Sequence, residues 1–230
     1  MHKNILIIGG SSDTGKLLIK KFSKKNYKIF STFNKNVYKH KNVESFHVNF
    51  SDSESVNLFI NKILNLKIKF NNVFFLQAEL LGLPLKEYNY QKILNNFKIN
   101  FISSAVIFNG IKNKLSNNCL TIFISSISGQ KGSYDPIYSS SKSAIIGFSK
   151  SLATWNAPKN RFICVCPGPI TGTKLFNSFP KKRKEFHINT NPNKELLNLQ
   201  DFSEILIDLT KPHWRHANGS IISINGGVCS

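Results

Sequence analysis

The sequence predicts an α/β protein built on a doubly wound parallel sheet of about seven strands, with helices on both faces. Short runs of β-branched and aromatic residues alternate with longer amphipathic segments along the whole chain. The length of 230 residues suits a single domain, and 41% hydrophobic residues is ordinary for a globular protein. Polar or glycine-rich turns follow the predicted strands, at the sheet edge where such folds bind ligands.

The first predicted strand, residues 4–8, leads through a glycine-rich turn into an amphipathic helix over residues 16–22. This arrangement brings backbone N–H groups and a helix N-terminus to a pyrophosphate, and glycine allows close approach. We therefore expect the turn to bind a dinucleotide. Within it, Asp13 could repel phosphate or cap the helix, and we favour the cap. The turn residues expected to contact the dinucleotide are Gly9, Ser11, Ser12, Asp13, Thr14 and Gly15.

Residues 28–33 and 45–50 are the second and third predicted strands, and residues 53–64 have helical apolar spacing. The second strand ends on Asn34 and Lys35, with no acidic residue before Glu44. An acidic side chain here would bind the ribose of NAD, whereas neutral or basic side chains admit the 2′-phosphate of NADP. We therefore expect NADP(H) to be favoured over NAD(H).

Residues 72–78 are the fourth predicted strand, and residues 88–115 contain a long helical pattern with Asn100 in its middle. An asparagine inside an apolar helix competes for backbone hydrogen bonds and weakens the helix. This cost indicates that Asn100 has a functional role. Because the chain is rich in asparagine, the alternative is an ordinary surface asparagine.

The stretch over residues 120–150 organises the rest of the chain. A buried strand over residues 120–124 ends in a serine-rich turn, and a helix follows over residues 138–152. Tyr138 and Lys142 are four residues apart and share one helical face. Because an ammonium favours a neighbouring phenolate, we expect Lys142 to lower the pKa of Tyr138 and make it an acid/base group.

The Tyr-x-x-x-Lys spacing is weak by itself, since Tyr88 and Lys92 repeat it, and a solvated tyrosine near a surface lysine is the alternative. The order of the motifs is more specific. It resembles the short-chain dehydrogenase/reductase family, whose members have a serine at the end of the fifth strand before a Tyr-x-x-x-Lys helix. The spacing is one residue shorter than usual, so Ser125 could replace Ser126, but the sequence context favours Ser126.

The resemblance implies a Rossmann-type fold and an enzyme that reduces a carbonyl to an alcohol with NAD(P)H. Tyr138 would protonate the oxygen, Ser126 would hydrogen-bond it, and Lys142 would also bind the nicotinamide ribose. Asn100 would help to place Lys142 and a water relay.

Further cofactor contacts follow from the same resemblance. Asn49 and Phe50 end the third strand near the adenine, and Ala78 remains from the family's Asn-Asn-Ala-Gly strand end. After the sixth strand, residues 161–166, a proline- and glycine-rich turn would contact the nicotinamide carboxamide. Its expected contact residues are Pro167, Gly168, Ile170, Thr171 and Thr173, with either threonine carrying the carboxamide contact.

Two departures from the family pattern favour a different kind of protein. Asp13 and Glu79 stand where the family has glycine. These two residues favour the alternative interpretation, in which the protein is a non-catalytic dinucleotide-binding sensor or scaffold with the same fold. The Ser/Tyr/Lys/Asn set argues against it, because a pure binding protein does not need an activated phenol.

Residues 174–200 are polar and interrupted by proline, and the resemblance makes them a cover over the substrate. The basic run at residues 181–184 suggests an anionic or carrier-bound substrate, and a solvated charge run is the alternative. A short helix over residues 203–209 and a strand over residues 219–225 complete the fold. By resemblance, the helix over residues 138–152, with Ala144, Gly147 and Ala153, would pack subunits into a homodimer or homotetramer.

The composition argues against other classes, with nucleic-acid binding through the lysine surface as a third alternative. The net charge of +19 comes from 31 basic and 12 acidic residues, but the positives are scattered lysines, so we expect no nucleic-acid partner. No apolar run reaches the roughly 18 residues of a membrane span. The first predicted strand leaves no room for the charged region and cleavage site of a signal peptide, so we expect none. The four cysteines lack metal-ligand spacing and are interpreted as reduced thiols. We expect a cytoplasmic protein without a metal.

Overall fold

The computed structural model describes residues 3–229 and contains one seven-stranded parallel sheet. The strand order is β3-β2-β1-β4-β5-β6-β7, so the chain reverses its winding between β1 and β4. The strands are β1 Lys3–Ile8, β2 Tyr27–Phe33, β3 Val43–His47, β4 Phe70–Phe75, β5 Leu115–Ile124, β6 Arg161–Pro167 and β7 Ile221–Ile224. The predicted doubly wound α/β fold is confirmed.

Helices cover both faces of this sheet. They are α1 Asp13–Phe22, α2 Ser53–Asn65, α3 Tyr90–Phe97, α4 Ser103–Ile111, α5 Ser128–Lys131, α6 Pro136–Trp155, α7 Lys174–Asn177, α8 Lys181–Asn189 and α9 Leu199–Asp208. Within residues 3–229, none of the helices is both long and apolar enough to cross a membrane.

The two faces of the sheet form two apolar cores, as the alternation along β1 shows. Leu6 and Ile8 point into the core that α2, α4 and α6 cover, whereas Ile5 and Ile7 point into the core under α1 and α9. All four side chains are fully buried. Burial of each such side chain contributes about 1.5–3 kcal/mol. A central strand that is apolar on both faces therefore favours helices packed on both faces of the sheet.

The long helical pattern predicted within residues 88–115 forms a continuous helical run over residues 90–111, but this run is not α-helical throughout. A π-helical turn, Lys98–Ile102, separates α3 from α4, and Leu115 already pairs with Phe70 as the first residue of β5. The extra residue of the π-turn lies at Asn100, whose side-chain amide donates hydrogen bonds to Asn96 and Ser141.

Further boundaries differ from the predictions. The third strand ends at His47, because Asn49 forms a turn in which its Oδ1 accepts from the Ser51 amide at 3.2 Å. The fourth strand ends at Phe75 instead of residue 78. The segment predicted as an irregular cover contains the short helices α7 and α8, the first capped by Thr173.

Candidate active site

The carboxyl ends of the central strands open into one cavity of about 1070 Å³. Most of the sequence-predicted site residues meet there, although they come from distant parts of the chain. Those that line the cavity are Gly9, Ser11, Ser12, Asp13, Thr14, Asn34, Asn49, Phe50, Ala78, Ser126, Tyr138, Lys142, Pro167, Gly168, Ile170 and Thr173. The winding reversal between β1 and β4 therefore coincides with the predicted site.

Four predicted site residues do not line the cavity. Gly15 packs behind the turn, where an added Cβ would lie 2.6 Å from Gly10. Lys35 is exposed, and the Thr171 amide donates to the Leu197 carbonyl at 2.9 Å. Asn100, the fourth, is 1% exposed and lies beneath the cavity wall. Of the two threonines, Thr173 is therefore the one that lines the cavity.

The catalytic candidates Ser126, Tyr138 and Lys142 meet at the end of β5. Lys142 lies one turn after Tyr138 on α6, with its Nζ 5.9 Å from the centre of the phenol ring. The Nζ donates to the Ile124 carbonyl at 3.0 Å. The Ser126 hydroxyl lies beside the phenol, whereas the Ser125 hydroxyl donates to the Lys142 carbonyl at 2.8 Å. This geometry favours Ser126 over Ser125 as the site serine.

The protonation of this group differs from the sequence prediction. Burial raises the pKa of Tyr138 to about 12, and the adjacent Ser126 hydroxyl lowers it by less. Burial also lowers the pKa of Lys142 to about 8. The expected lowering of the Tyr138 pKa by Lys142 is not found, because burial of the phenol dominates the shift and the Lys142 ammonium is directed to the Ile124 carbonyl. Tyr138 is therefore a protonated phenol near neutral pH, as an acid requires.

Asn100 connects the fourth strand to α6. Its Oδ1 accepts from the Glu79 amide at 2.7 Å, and its Nδ2 lies 3.0 Å from both the Glu79 carbonyl and the Ser141 hydroxyl. The side chain thus contacts the neighbour of Lys142 and not Lys142 itself. The expected placement of Lys142 is therefore indirect, through the shared helix.

Asp13 does not cap α1, contrary to the sequence prediction. Ser12 has the extended backbone of a cap residue, and its hydroxyl accepts from the Gly15 amide at 3.1 Å. Asp13 is the first helical residue, and its Oδ2 accepts from the Lys174 amide at 2.7 Å. The carboxylate consequently joins the glycine-rich turn to α7, in the segment over residues 174–200 that we call the covering segment.

The glycine-rich turn fits a dinucleotide. Gly9 has φ +86°, and a Cβ there would lie 2.9 Å from the Gln77 amide nitrogen, so only glycine allows this approach to β4. The N-terminus of α1 opens into the cavity beside the hydroxyl groups of Ser11 and Thr14. The neutral amide of Asn34 lines the same cavity and suits a phosphorylated ribose better than a carboxylate would.

Sequence reasoning missed Asp135, which is fully buried at the start of α6. Its Oδ1 accepts from the Tyr138 amide at 3.0 Å, and its Oδ2 accepts from the Gly82 amide at 3.0 Å. The Tyr88 hydroxyl donates to the same carboxylate at 2.8 Å. An aspartate directly before Pro136 is a helix N-cap pattern and could have been found. Tyr88, which only repeated the tyrosine–lysine spacing, has a structural role here.

The covering segment supplies an aromatic wall to the cavity. Phe176, Phe179 and Phe186 line it, together with Arg183 and His187 of α8. Glu79 also lines the cavity, and burial raises the pKa of its carboxyl group. Both departures from the family pattern, Asp13 and Glu79, are therefore at the cavity, and neither fills it.

Comparison with known sequences finds similar reductases. A family model described as enoyl-(acyl carrier protein) reductase matches residues 16–229. A 3-oxoacyl-(acyl-carrier-protein) reductase of Buchnera aphidicola is 28% identical over 242 aligned positions, 98% of this chain and 97% of that protein. An acetoacetyl-CoA reductase of Acinetobacter is 30% identical over 142 positions, 60% of this chain and 55% of that protein.

Solved structures share the fold over nearly the whole chain. A short chain dehydrogenase family protein from Francisella tularensis has a TM-score of 0.90 and 20% identity, and 99% of each chain is covered. A short chain dehydrogenase from Burkholderia cenocepacia, in complex with NADP, has a TM-score of 0.89 and 16% identity, with 98% and 97% covered. At these identities the likeness shows the fold alone.

Proposed function

The chain belongs to the short-chain dehydrogenase/reductase family, and we propose that it uses NADPH to reduce a 3-oxoacyl thioester to the 3-hydroxyacyl thioester. It is an oxidoreductase, and its relatives carry the names of 3-oxoacyl and acetoacetyl reductases. The observation that carries the proposal is the buried, protonated phenol of Tyr138 beside Ser126, in the cavity that holds the glycine-rich turn.

The proposed reaction needs a hydride on the carbonyl carbon and a proton on its oxygen. The reduced nicotinamide, when bound, supplies the hydride. Tyr138 donates the phenolic proton to the oxygen, while the Ser126 hydroxyl hydrogen-bonds that oxygen and stabilises its developing charge. Lys142, as an ammonium, stabilises the resulting phenolate and holds the nicotinamide ribose.

Asn100 has a supporting role in this proposal. Its bonds to Glu79 and Ser141 hold the wall of the cavity against α6, so Tyr138 and Lys142 keep one orientation. A water relay that returns the proton to Tyr138 would run beside this contact. Asp13 supports the same site, since its bond to the Lys174 amide leaves its carboxylate occupied at the edge of the turn.

We propose NADP(H) over NAD(H) because Asn34 lines the cavity and no acidic residue replaces it. Lys35 is exposed and contributes positive charge nearby without lining the cavity. The residues proposed to hold the dinucleotide are therefore those of the glycine-rich turn, Asn34, Asn49, Phe50, Ala78 and the turn after β6.

The proposed substrate is carried by an acyl carrier protein or by coenzyme A, as the names of the relatives suggest. The proposed assembly is a homodimer or homotetramer that packs through α6. Ala153 cannot contribute to that packing, because it is 5% exposed within its own subunit. The proposed location is the cytoplasm, in keeping with four free cysteines.

The experiment that tests this function follows NADPH and NADH consumption across a panel of carbonyl compounds. The panel contains 3-oxoacyl thioesters, sugar-derived ketones and small aromatic ketones. We expect the highest kcat/KM with a 3-oxoacyl thioester and NADPH. If neither cofactor is oxidised with any member, the enzymatic proposal is wrong.

A further inference from the structure

The four basic residues that begin α8, residues 181–184, do not share one environment. Lys181 lies 3.8 Å from the glutamate four residues on, and Lys184 donates to a carbonyl of α7 at 2.8 Å. Lys182 is exposed. Only Arg183 of this run lines the active-site cavity. The charge run is therefore mostly a solvated surface, with one member directed to the site.

Two aromatic rings hold the Arg183 guanidinium. Its central carbon lies 3.8 Å from the centre of the Phe179 ring and 4.5 Å from the centre of the Tyr134 ring. Aromatic contacts occupy the flat faces of a guanidinium and leave its N–H groups, which lie at the edge, for a planar anion. Within residues 3–229, no carboxylate forms an ion pair with Arg183.

His187 follows Arg183 by one helical turn and also lines the cavity. Its Nε2 is buried and has no hydrogen-bond partner in the described part of the chain. Burial and the positive charges of Arg183 and Lys131 lower the pKa of His187. Two cations and an unpaired imidazole nitrogen thus meet at one wall of the cavity.

The acidic residues of the cavity do not neutralise this wall. Asp13 is bonded to the Lys174 amide. Glu79 is held through its backbone by Asn96 and Asn100, and its charge acts on Tyr88. A buried hydrogen-bonding atom without a partner, here the His187 Nε2, is costly. Arg183 and Lys131 add positive charge beside it, so the wall suits a ligand with a negatively charged, hydrogen-bonding group.

We propose that Arg183, with His187 and Lys131, binds an anionic oxygen group, a phosphate or a carboxylate, on the carbonyl substrate. This inference rests on the proposed function, because the anionic group belongs to the carbonyl substrate that is reduced. Phosphopantetheine thioesters and oxoacids with a second carboxylate both carry such a group. The aromatic rings fix the guanidinium in advance, and this reduces the entropy that binding would otherwise cost.

The test measures binding by calorimetry, which needs no turnover. Two ligand pairs differ only in the anion: phosphopantetheine against pantetheine, and glutarate against its dimethyl ester. A charge-assisted hydrogen bond contributes about 1.5–3 kcal/mol, so we expect the anionic member of at least one pair to bind roughly 10- to 100-fold more tightly. Arg183→Met should remove that preference, and Lys182→Met, with the same charge change on the same helix, should keep it.

The pair that shows the preference identifies the anion as phosphate or carboxylate. The inference is overturned if the parent protein shows no preference in either pair, or if Arg183→Met retains it. If the parent protein prefers the anionic ligands but none of the carbonyl compounds supports NADPH oxidation, the proposed function is contradicted and the anion site is still supported. If the parent protein reduces thioesters but shows no preference for the anionic ligands, the anion site is contradicted and the proposed function is still supported.

Discussion

Tyr138 and Lys142 are both buried on the first turns of α6, and burial pushes their pKa values apart. The pKa of Tyr138 is raised to about 12, and that of Lys142 is lowered to about 8. Each shift favours the neutral form. Near neutral pH the pair is a protonated phenol and an ammonium, which is the charge state that a carbonyl reductase needs.

This charge state predicts the pH profile of reduction. Below a pH of about 8, Lys142 is an ammonium, and above it the charge is lost, while Tyr138 stays protonated throughout the range. We expect kcat/KM to be flat on the acid side and to fall by up to about tenfold per pH unit above the Lys142 pKa. Steady-state rates between pH 6 and about 10 measure it. A profile without a fall until the phenol ionises would contradict the assignment.

The sequence contains the Tyr138–Lys142 spacing, and it predicts which residues meet. It cannot predict the direction of the tyrosine pKa shift, because desolvation depends on how α6 packs against β5. The same holds for Asp13, whose carboxylate is bonded to Lys174, 161 residues later in the chain.

Helix α6 owes its position to a buried carboxylate at its start. Asp135 accepts from the Tyr138 amide, the Gly82 amide and the Tyr88 hydroxyl, and so joins three segments of the cavity wall. The π-turn at Asn100 provides a second attachment, through Ser141. Orientation of the phenol thus depends on contacts at both ends of one helical turn.

Asp135→Ala should therefore impair catalysis as well as stability. It removes a cap and two further hydrogen bonds to a charged group, so we expect the free energy of unfolding to fall by about 2–4 kcal/mol. We expect kcat to fall about tenfold with the KM for NADPH unchanged. Asp135→Asn retains an acceptor for the Tyr138 amide and should recover most of kcat. Denaturant unfolding and steady-state kinetics measure both effects.

Asp52→Ala is the matched control, because Asp52 caps α2 through the Glu54 amide at an exposed position. It should cost about 1 kcal/mol of stability and leave kcat unchanged. Equal losses of kcat in the Asp52 and Asp135 variants would mean that Asp135 acts through stability alone.

The elements differed in how far sequence could predict them. The strands β1 and β6 are apolar on both faces and were predicted within a residue at each end, because burial between two helical layers demands this composition. The π-turn at Asn100 and the helices α7 and α8 were missed. The first depends on side-chain bonds to Glu79 and Ser141, and the others depend on packing over the cavity.

At the scale of the whole molecule, α6 presents an open outer face. An added Cβ at Gly147 would meet nothing within 4 Å, and the nearby Ile102 and Val106 are 38% and 40% exposed. Small residues on a helix allow close approach of a second helix, and exposed apolar side chains favour its burial. This face is where a second copy of the chain would pack.

We expect the parent protein to sediment as a dimer or tetramer and Gly147→Glu to sediment as a smaller species with its circular dichroism spectrum unchanged. A carboxylate buried without a partner at a helix contact costs several kcal/mol. Asn57→Glu, the same charge change on an exposed position of α2, should not alter the assembly. Sedimentation velocity measures this, and a monomeric parent or an unaltered Gly147 variant would contradict the proposed packing.

The most direct test of the proposed mechanism is Tyr138→Phe, which removes one oxygen atom and keeps the ring. With a 3-oxoacyl thioester, we expect kcat to fall by at least about 100-fold, because no group remains to protonate the carbonyl oxygen. NADPH affinity, measured by fluorescence titration, should change less than about threefold. Turnover by the variant at a rate similar to the parent would contradict the claim that Tyr138 is the acid of this site.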